Sequence, residues 1–407
     1  DGIKCEKLLW LRFNDPDKVP PVSMEAKYVF DQGHQVDEIA RLRHSDGIEV
    51  PYRNIKHNCE ETIRLLGKGV PLFEAGFLSG DLYVRLDVLL PVGDGSWDII
   101  EVQSGSSTKD QYYDDVAFQL YCCRKAGLNI HRCYLQHINR EYVRGPALDP
   151  FEFFVRDDVT ETVEAMQADI PDRVEKMLQL SARTEPPEVR IDQCCNKPYE
   201  CLVKPDCWKH IPEHSVFELY RLFDTKRFKC YHDGCVLITD LPKDFKLSAT
   251  QRIQVEAIKN CQPHINREAI RDFLVRLRYP LVYMDFETIF PAIPLYEGMQ
   301  PYDHLPFQFS VHVQEHAGAP LFAHGYLCKE ARDCRREFAE ALLACTVGNG
   351  GIVVYNKGFE VEKLKALAEY LPEHAKAIEQ RIARVVDLMV PFGSFDYYHP
   401  RQRGKVS

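Results

Sequence analysis

No hydrophobic run in this 407-residue sequence approaches the ~18 residues that a membrane-spanning helix requires. No basic-then-apolar segment stands at its start. No internal repeat or low-complexity tract is visible, which argues against a solenoid or a disordered array. Positive charge is in deficit: 51 Lys and Arg face 61 Asp and Glu, for a net charge of −10. That balance excludes indiscriminate nucleic-acid binding through the whole surface. It leaves room for a local basic groove and for acidic sites that carry metals. Cysteine, by contrast, is plentiful: 15 residues, an odd number. In a chain of this size, metal or cluster ligation in a reducing, cytoplasmic compartment is expected. A hydrophobic content of 45% with 28% charged residues describes an ordinary globular protein of two or three domains. The sequence opens on Asp1 and closes on Gly404-Lys-Val-Ser407, so it is expected to be part of a longer protein.

The most informative stretch is a hairpin. Leu82-Tyr-Val-Arg-Leu-Asp-Val-Leu-Leu90 reads as a buried strand, Gly93-Asp-Gly95 as a tight turn, and Trp97-Asp-Ile-Ile-Glu-Val102 as its partner. Asp87 and Glu101 then lie near each other on buried strands. Two carboxylates there are costly unless a cation compensates them, and a divalent metal is the usual one.

The rest of the chain divides coarsely into three. The first, residues 1–210, alternates helical and strand patterns to about residue 150 and ends in a cysteine cluster. Residues 159–182 read as one helix, with Val163, Met166, Ile170, Val174, Met177 and Leu178 at helical spacing. Residues 211–276 are charged and largely helical, a connector. A third region, 277–407, opens on the strand pattern at Tyr279-Pro-Leu-Val-Tyr-Met284. The expected fold class is α/β throughout. The connector's Arg221, Lys226, Arg227, Lys229, Lys243, Lys246, Arg252 and Lys259 form either a solvated helical face or a DNA-facing surface.

Cys195, Cys201 and Cys207 follow one another with five residues between each, with Cys194 beside the first and Cys5 far upstream. Three readings remain open: buried thiols, a zinc site, or an iron–sulfur cluster. Cys230 and Cys235 form a second pair that nothing nearby completes.

The Asp87…Glu101-Val-Gln103 pattern resembles the PD-(D/E)XK nucleases, with Gln103 where that family carries Lys. Cys5 with Cys195, Cys201 and Cys207 resembles the AddB and CRISPR-associated exonuclease type. In that type a 4Fe–4S cluster staples the chain ends around a restriction-endonuclease-like core. The resemblance implies that His34, Asp87 and Glu101 bind metal, with Glu74 nearby. It further implies that Gln119, with Tyr121 on the expected helix 110–126, matches the family's QxxxY helix inexactly. His34 is expected to open a helical segment over 35–42. A bound Mg2+ or Mn2+ would lower the pKa of water and stabilise the pentacoordinate phosphate. Gln103 can hydrogen-bond that water but carries no charge, and losing one such electrostatic contact typically costs on the order of 10²–10³ in rate.

In Leu281-Val-Tyr-Met-Asp-Phe-Glu-Thr288, Asp285 and Glu287 share one strand face. The order that follows is strand 307–313, strand 321–327, helix 331–343, strand 352–355 and helix 359–371. With Asp-Phe-Glu-Thr it resembles the DnaQ-like exonucleases of RNase H-like fold, which hold two metals between four carboxylates. Glu360 occupies the position where that family usually carries Asp. Asp387 is a further candidate, but its place is early for the last motif, and the fourth carboxylate is expected beyond Ser407. Taken together, several stretches resemble an uncharacterised bacterial domain-of-unknown-function family that fuses the two nuclease modules. These are Lys4–Arg12, Asp115–Gln119, His137–Arg144, Pro198–Cys201, Tyr283–Thr288 and Pro306–Ser310. The resemblance implies a metal-dependent nuclease acting on single-stranded DNA or DNA ends, in repair or defence. Two alternatives stand beside it: a nucleic-acid-binding scaffold with degenerate sites, and an iron–sulfur redox sensor.

Overall fold

The structure, a computed structural model, describes residues 1–402. The chain forms two compact units: Asp1–Val189 with Phe290–Asp303, and Arg190–Ile289 with His304–Ser407. No helix among the described residues is long and apolar enough to cross a membrane.

The first unit runs α1 (Glu6–Asn14), α2 (Met24–Arg41), β1 (Ile48–Glu49), α3 (Ile55–Leu66), β2 (Leu72–Ser79), β3 (Leu82–Gly93), β4 (Ser96–Gln103) and α4 (Asp110–Lys125). It continues with β5 (Asn129–Ile138), α5 (Pro150–Phe153), β6 (Phe154–Asp158), α6 (Thr160–Met166) and α7 (Ile170–Ser181). The six strands form one sheet in chain order. β2, β3 and β4 make an antiparallel meander, and β5 then pairs parallel to β4. A parallel return needs a crossover, and α4 supplies it. Apolar side chains fill both faces. Leu86, Leu89 and Ile99 pack with Val116 and Leu120 of α4. Val88, Ile100 and Val102 pack with Val36 and Ala40 of α2. Burial on both faces is why these strands read as continuous apolar runs.

The helix expected over 159–182 is two helices, α6 and α7. Pro171 is the cause. It lacks an N–H and its ring collides with the carbonyl four residues back, so a new helix starts with Pro171 in its first turn. The segment expected to begin at His34 also differs. Ser23 caps α2 by accepting the Ala26 N–H at 3.1 Å, so His34 lies well inside that helix.

A buried polar bracket shapes β2. Glu74 sits in mid-strand with φ of 59°, a left-handed conformation that costs a non-glycine residue about 1–3 kcal/mol. Asn58 and Thr62 of α3, both fully buried, hold it there. Asn58 Nδ2 donates to the Glu74 carbonyl at 3.1 Å, and the Gly76 N–H donates to Thr62 Oγ1 at 2.9 Å. Tyr83 OH donates to Asn58 Oδ1 at 2.9 Å, which fixes the amide's orientation. The segment Phe290–Asp303 packs in this unit too. The Ala292 N–H donates to Gln32 Oε1 at 2.6 Å, Arg140 Nη1 donates to the Pro301 carbonyl at 2.8 Å, and the Tyr302 hydroxyl donates to the Ser104 carbonyl.

The second unit begins with α8 (Lys204–Cys207), α9 (Asp224–His232), α10 (Ala249–Asn260), β7 (His264–Ile265) and α11 (Arg267–Val275). Leu219, Leu222, Ile238, Val255 and Ile258 form a small core of their own there. Next come β8 (Leu281–Ile289), β9 (Leu305–Gln314), β10 (Leu321–Leu327), α12 (Arg335–Cys345), β11 (Ile352–Val354) and α13 (Lys357–Tyr370). The last elements are α14 (Ala375–Ile382), β12 (Val385–Asp387), α15 (Val390–Gly393) and β13 (Tyr397–Tyr398). Five strands form a mixed sheet in the order β10-β9-β8-β11-β12. β8, β9 and β10 are antiparallel, whereas β11 lies parallel to both β8 and β12. β13 pairs with β7 in a separate two-stranded sheet.

The bracket makes Gly76 irreplaceable. A Cβ there would stand 1.8 Å from Asn58 Oδ1, a group held by three hydrogen bonds of its amide and unable to retreat. Gly76→Ala is expected to destabilise the first unit by about 2–3 kcal/mol, read as a lower urea midpoint with an unchanged slope.

Candidate functional site

In the first unit the β3–β4 register sets Val88 opposite Ile100, which brings Asp87 and Glu101 side by side. The two carboxyls interact directly, and Asp87 Oδ2 accepts the Val102 N–H at 2.8 Å. Two amides converge on Glu101: Gln119 Nε2 donates to Oε2 at 2.6 Å, and Gln103 Nε2 donates to Oε1 at 3.1 Å. Gln103, Gln119, Asp87 and Glu101 therefore form one group. Burial pushes the Asp87 carboxyl up to about 6, and the negative charge of Glu74 adds to the effect. Burial, then the neighbouring Asp87, holds the Glu101 carboxyl well above the usual range. Two carboxyls so placed disfavour ionisation of both at once in the absence of a cation.

The residue that sequence reasoning missed is Asp37. It lies on α2, three residues after His34, and burial followed by the charges of Asp87 and Glu74 pushes its carboxyl up to about 8. Its one local signal is the i, i+3 spacing from His34, which puts both on one helix face. His34 itself is exposed. Glu74, inside β2 just before the hairpin, is held by two guanidinium groups: Arg41 Nη2 at 2.6 Å and Arg85 Nε at 2.8 Å. Arg41 also reaches Glu49 at 3.0 Å.

In the second unit Asp285 and Glu287 share one exposed face of β8, as their spacing predicts. Glu360, in the first turn of α13, is buried, and its Oε2 has no hydrogen-bond partner among the described residues. Burial, then the charges of Asp285 and Asp387, pushes its carboxyl up to about 7. Asp387 ends β12, and its Oδ1 accepts the N–H groups of Asn356 at 3.1 Å and Met389 at 2.9 Å. It thus ties the end of β12 to the turn before α13, where Asn356 adopts a φ of 77°. Asp285, Glu360 and Asp387 gather at the carboxyl ends of the parallel strands β8, β11 and β12, the usual place for a ligand in such sheets. The carboxylate expected beyond Ser407 lies outside the described residues.

Among the described residues, no three His, Cys, Asp or Glu groups form a set that could by itself hold a metal ion. The donor chemistry nevertheless suits Mg2+ or Mn2+. Such an ion is commonly held by one or two carboxylates and completed by water and substrate phosphate. Asp87 with Glu101, and Asp285 with Glu360, supply those hard oxygens.

The cysteines fall in both units, Cys5 in the first and Cys195, Cys201 and Cys207 in the second. Cys195 and Cys201 are buried, and the Cys201 N–H donates to the Cys195 carbonyl at 2.9 Å. Cys207 follows in α8, six residues on. Three soft donors thus come from one short, turn-rich segment.

A family model described as Domain of unknown function (DUF2779) matches residues 282–407. The stretch similar to that family contains Asp285, Glu287, Glu360 and Asp387. No curated protein matches the chain.

The raised carboxyls fix a pH dependence. An acid whose folded pKa exceeds its unfolded value adds stability below the unfolded pKa and loses it as pH rises through the folded one. With Asp87 near 6 and Asp37 near 8, metal-free protein is expected to lose thermal stability steadily from about pH 4 to pH 8. Asp37→Asn should flatten the upper part of that fall. Equal slopes for the two proteins between pH 6 and 8 would contradict the assignment.

Proposed function

We propose that this chain is a metal-dependent nuclease with two sites, acting on single-stranded DNA or DNA ends. The observation that carries the reading is the Asp87–Glu101 pair, half-buried where the pairing of β3 with β4 ends and faced by the amides of Gln103 and Gln119. A helix, an antiparallel meander, a crossover helix and a parallel strand support a PD-(D/E)XK core. Three antiparallel strands followed by two parallel ones, in the order β10-β9-β8-β11-β12, support an RNase H-like module.

A divalent ion at either site would supply Lewis acidity to the scissile phosphate. The chain's own residues do the rest. Asp87 and Glu101 hold hard oxygens in place, and Gln119 keeps Glu101 from rotating away. Gln103 offers an N–H donor but no charge. In the second unit Asp387 splints the turn that presents Glu360, and Asp285 and Glu287 remain open to solvent on β8.

The neutral Gln103 favours a second reading, a DNA-binding scaffold whose first site no longer cleaves. Digestion of end-labelled single-stranded DNA with Mn2+ separates the two. Gln103→Lys is expected to raise cleavage by on the order of 10²-fold, and Asp87→Asn to abolish the gain. DNA binding without cleavage in either protein would favour the scaffold. We further propose that Cys195, Cys201 and Cys207 supply three of the thiolates of a 4Fe–4S cluster. Anaerobically purified protein should then carry iron and a broad visible absorption, and Cys201→Ser should lose both.

A further inference from the structure

β10 is the edge strand of the five-stranded sheet, and six of its seven residues are exposed. Edge strands in soluble proteins are normally protected by charge, proline, a bulge or brevity. Leu321-Phe-Ala-His-Gly-Tyr-Leu327 has none of these. It contains no Lys, Arg, Asp, Glu or Pro, and its pairing to β9 is unbroken over all seven residues. Leu321, Phe322 and Leu327 are each at least half exposed.

The strand is also chemically palindromic about His324. Reading outward from that residue, Ala323 matches Gly325, Phe322 matches Tyr326, and Leu321 matches Leu327. Backbone direction agrees with this centre. The Cys328 N–H donates inward to the Phe307 carbonyl at 2.8 Å. Strand alternation then turns the N–H and C=O groups of Leu321, Ala323, Gly325 and Leu327 toward the free edge. In an antiparallel pair centred on His324 these four residues oppose one another, so every outward donor meets an outward acceptor. Tyr326 lies on the face that packs against Phe309 and Phe338. Phe322 shares that face, and Leu321 and Leu327 share the other.

We propose that β10 joins two copies of this chain, pairing antiparallel about a two-fold axis at His324 to make one continuous sheet of ten strands. The occupant is a second copy because only an identical strand reproduces all three matched pairs at once. Leu321 meets the second copy's Leu327, Phe322 meets its Tyr326, and Ala323 meets its Gly325. Cross-strand apolar and aromatic pairs of this kind are the unit of sheet stabilisation. A single strand pair is a small interface, so the dimer should form at micromolar concentration rather than below it. The inference does not depend on the chemistry of either carboxylate site.

Sedimentation equilibrium of the full chain, over roughly two decades of concentration reaching about 100 μM, is the test. A reversible monomer–dimer equilibrium is expected. Leu321→Glu with Leu327→Glu sets like charges opposite each other twice and should weaken association at least ~10-fold, whereas Leu321→Lys with Leu327→Glu sets opposite charges there and should retain it. His324→Cys places two thiols across the axis at a non-hydrogen-bonded pair. Its Cα separation of about 4.5 Å suits a disulfide, so a 324–324 crosslink should appear in the mapped peptides on mild oxidation. A chain that stays monomeric throughout the range overturns the proposal. So does a dimer that both charge pairs leave equally tight and that gives no 324–324 crosslink.

Discussion

Two half-buried carboxyl groups stand side by side where the pairing of β3 with β4 ends, and much of the first unit is organised around that cost. An isolated buried carboxylate is far more expensive than the few kcal/mol that hold a domain folded. The structure manages it with neutral donors. The Val102 N–H, the Gln119 amide and the Gln103 amide all point at the pair, and none of them is a cation. The cationic groups nearby, Arg41 and Arg85, are engaged with Glu74. The pair therefore keeps a proton to a higher pH than a solvated carboxylate would. Its ionised form would become favourable if a divalent ion replaced that proton.

The second unit solves a similar problem by topology. Three strands run parallel, so their carboxyl ends and the helix that follows β11 converge at one edge of the sheet. Asp285 comes from a strand, Glu360 from a helix and Asp387 from a strand end. No local sequence motif unites them. Asp387 is the structural member of the group, since Asn356 and Met389 engage its Oδ1. Glu360 is the unsatisfied one, with a buried oxygen that accepts no hydrogen bond among the described residues.

What was legible in the sequence follows from how local each signal is. The hairpin was readable because its strands are buried on both faces and its turn needs positive dihedrals at Gly93, Asp94 and Gly95. β10 was readable to the residue, since a proline precedes it and its apolar run ends where pairing ends. The break between α6 and α7 was also written locally, in Pro171, but the apolar spacing on either side masked it. Asp37 was not legible. On a helix its carboxylate looks like part of a solvated face, and only the sheet packed beneath α2 shows otherwise. Nor could any local pattern show that residues 290–303, which follow β8 in the chain, pack with α2 and the Ser104 loop of the first unit.

Gln103 bears on the chemistry through charge balance rather than shape. A divalent ion between Asp87 and Glu101 would make a site that is neutral overall. With Lys at 103 the same site would carry one positive charge facing the phosphate. Phosphoryl transfer adds negative charge to the equatorial oxygens, and fixed positive charge lowers that barrier without reorganisation. Gln103 fills the same strand position and reaches the same carboxylate at 3.1 Å, so binding geometry is preserved while the electrostatic contribution is absent. The guanidinium groups of Arg41 and Arg85 cannot stand in while Glu74 holds both of them. Glu74 in turn depends on its left-handed backbone and on the Asn58–Thr62 bracket. On the proposed reading, such a chain would retain what a metal needs and lack what the transition state needs. Binding and turnover would then be separable at this site by a single side chain.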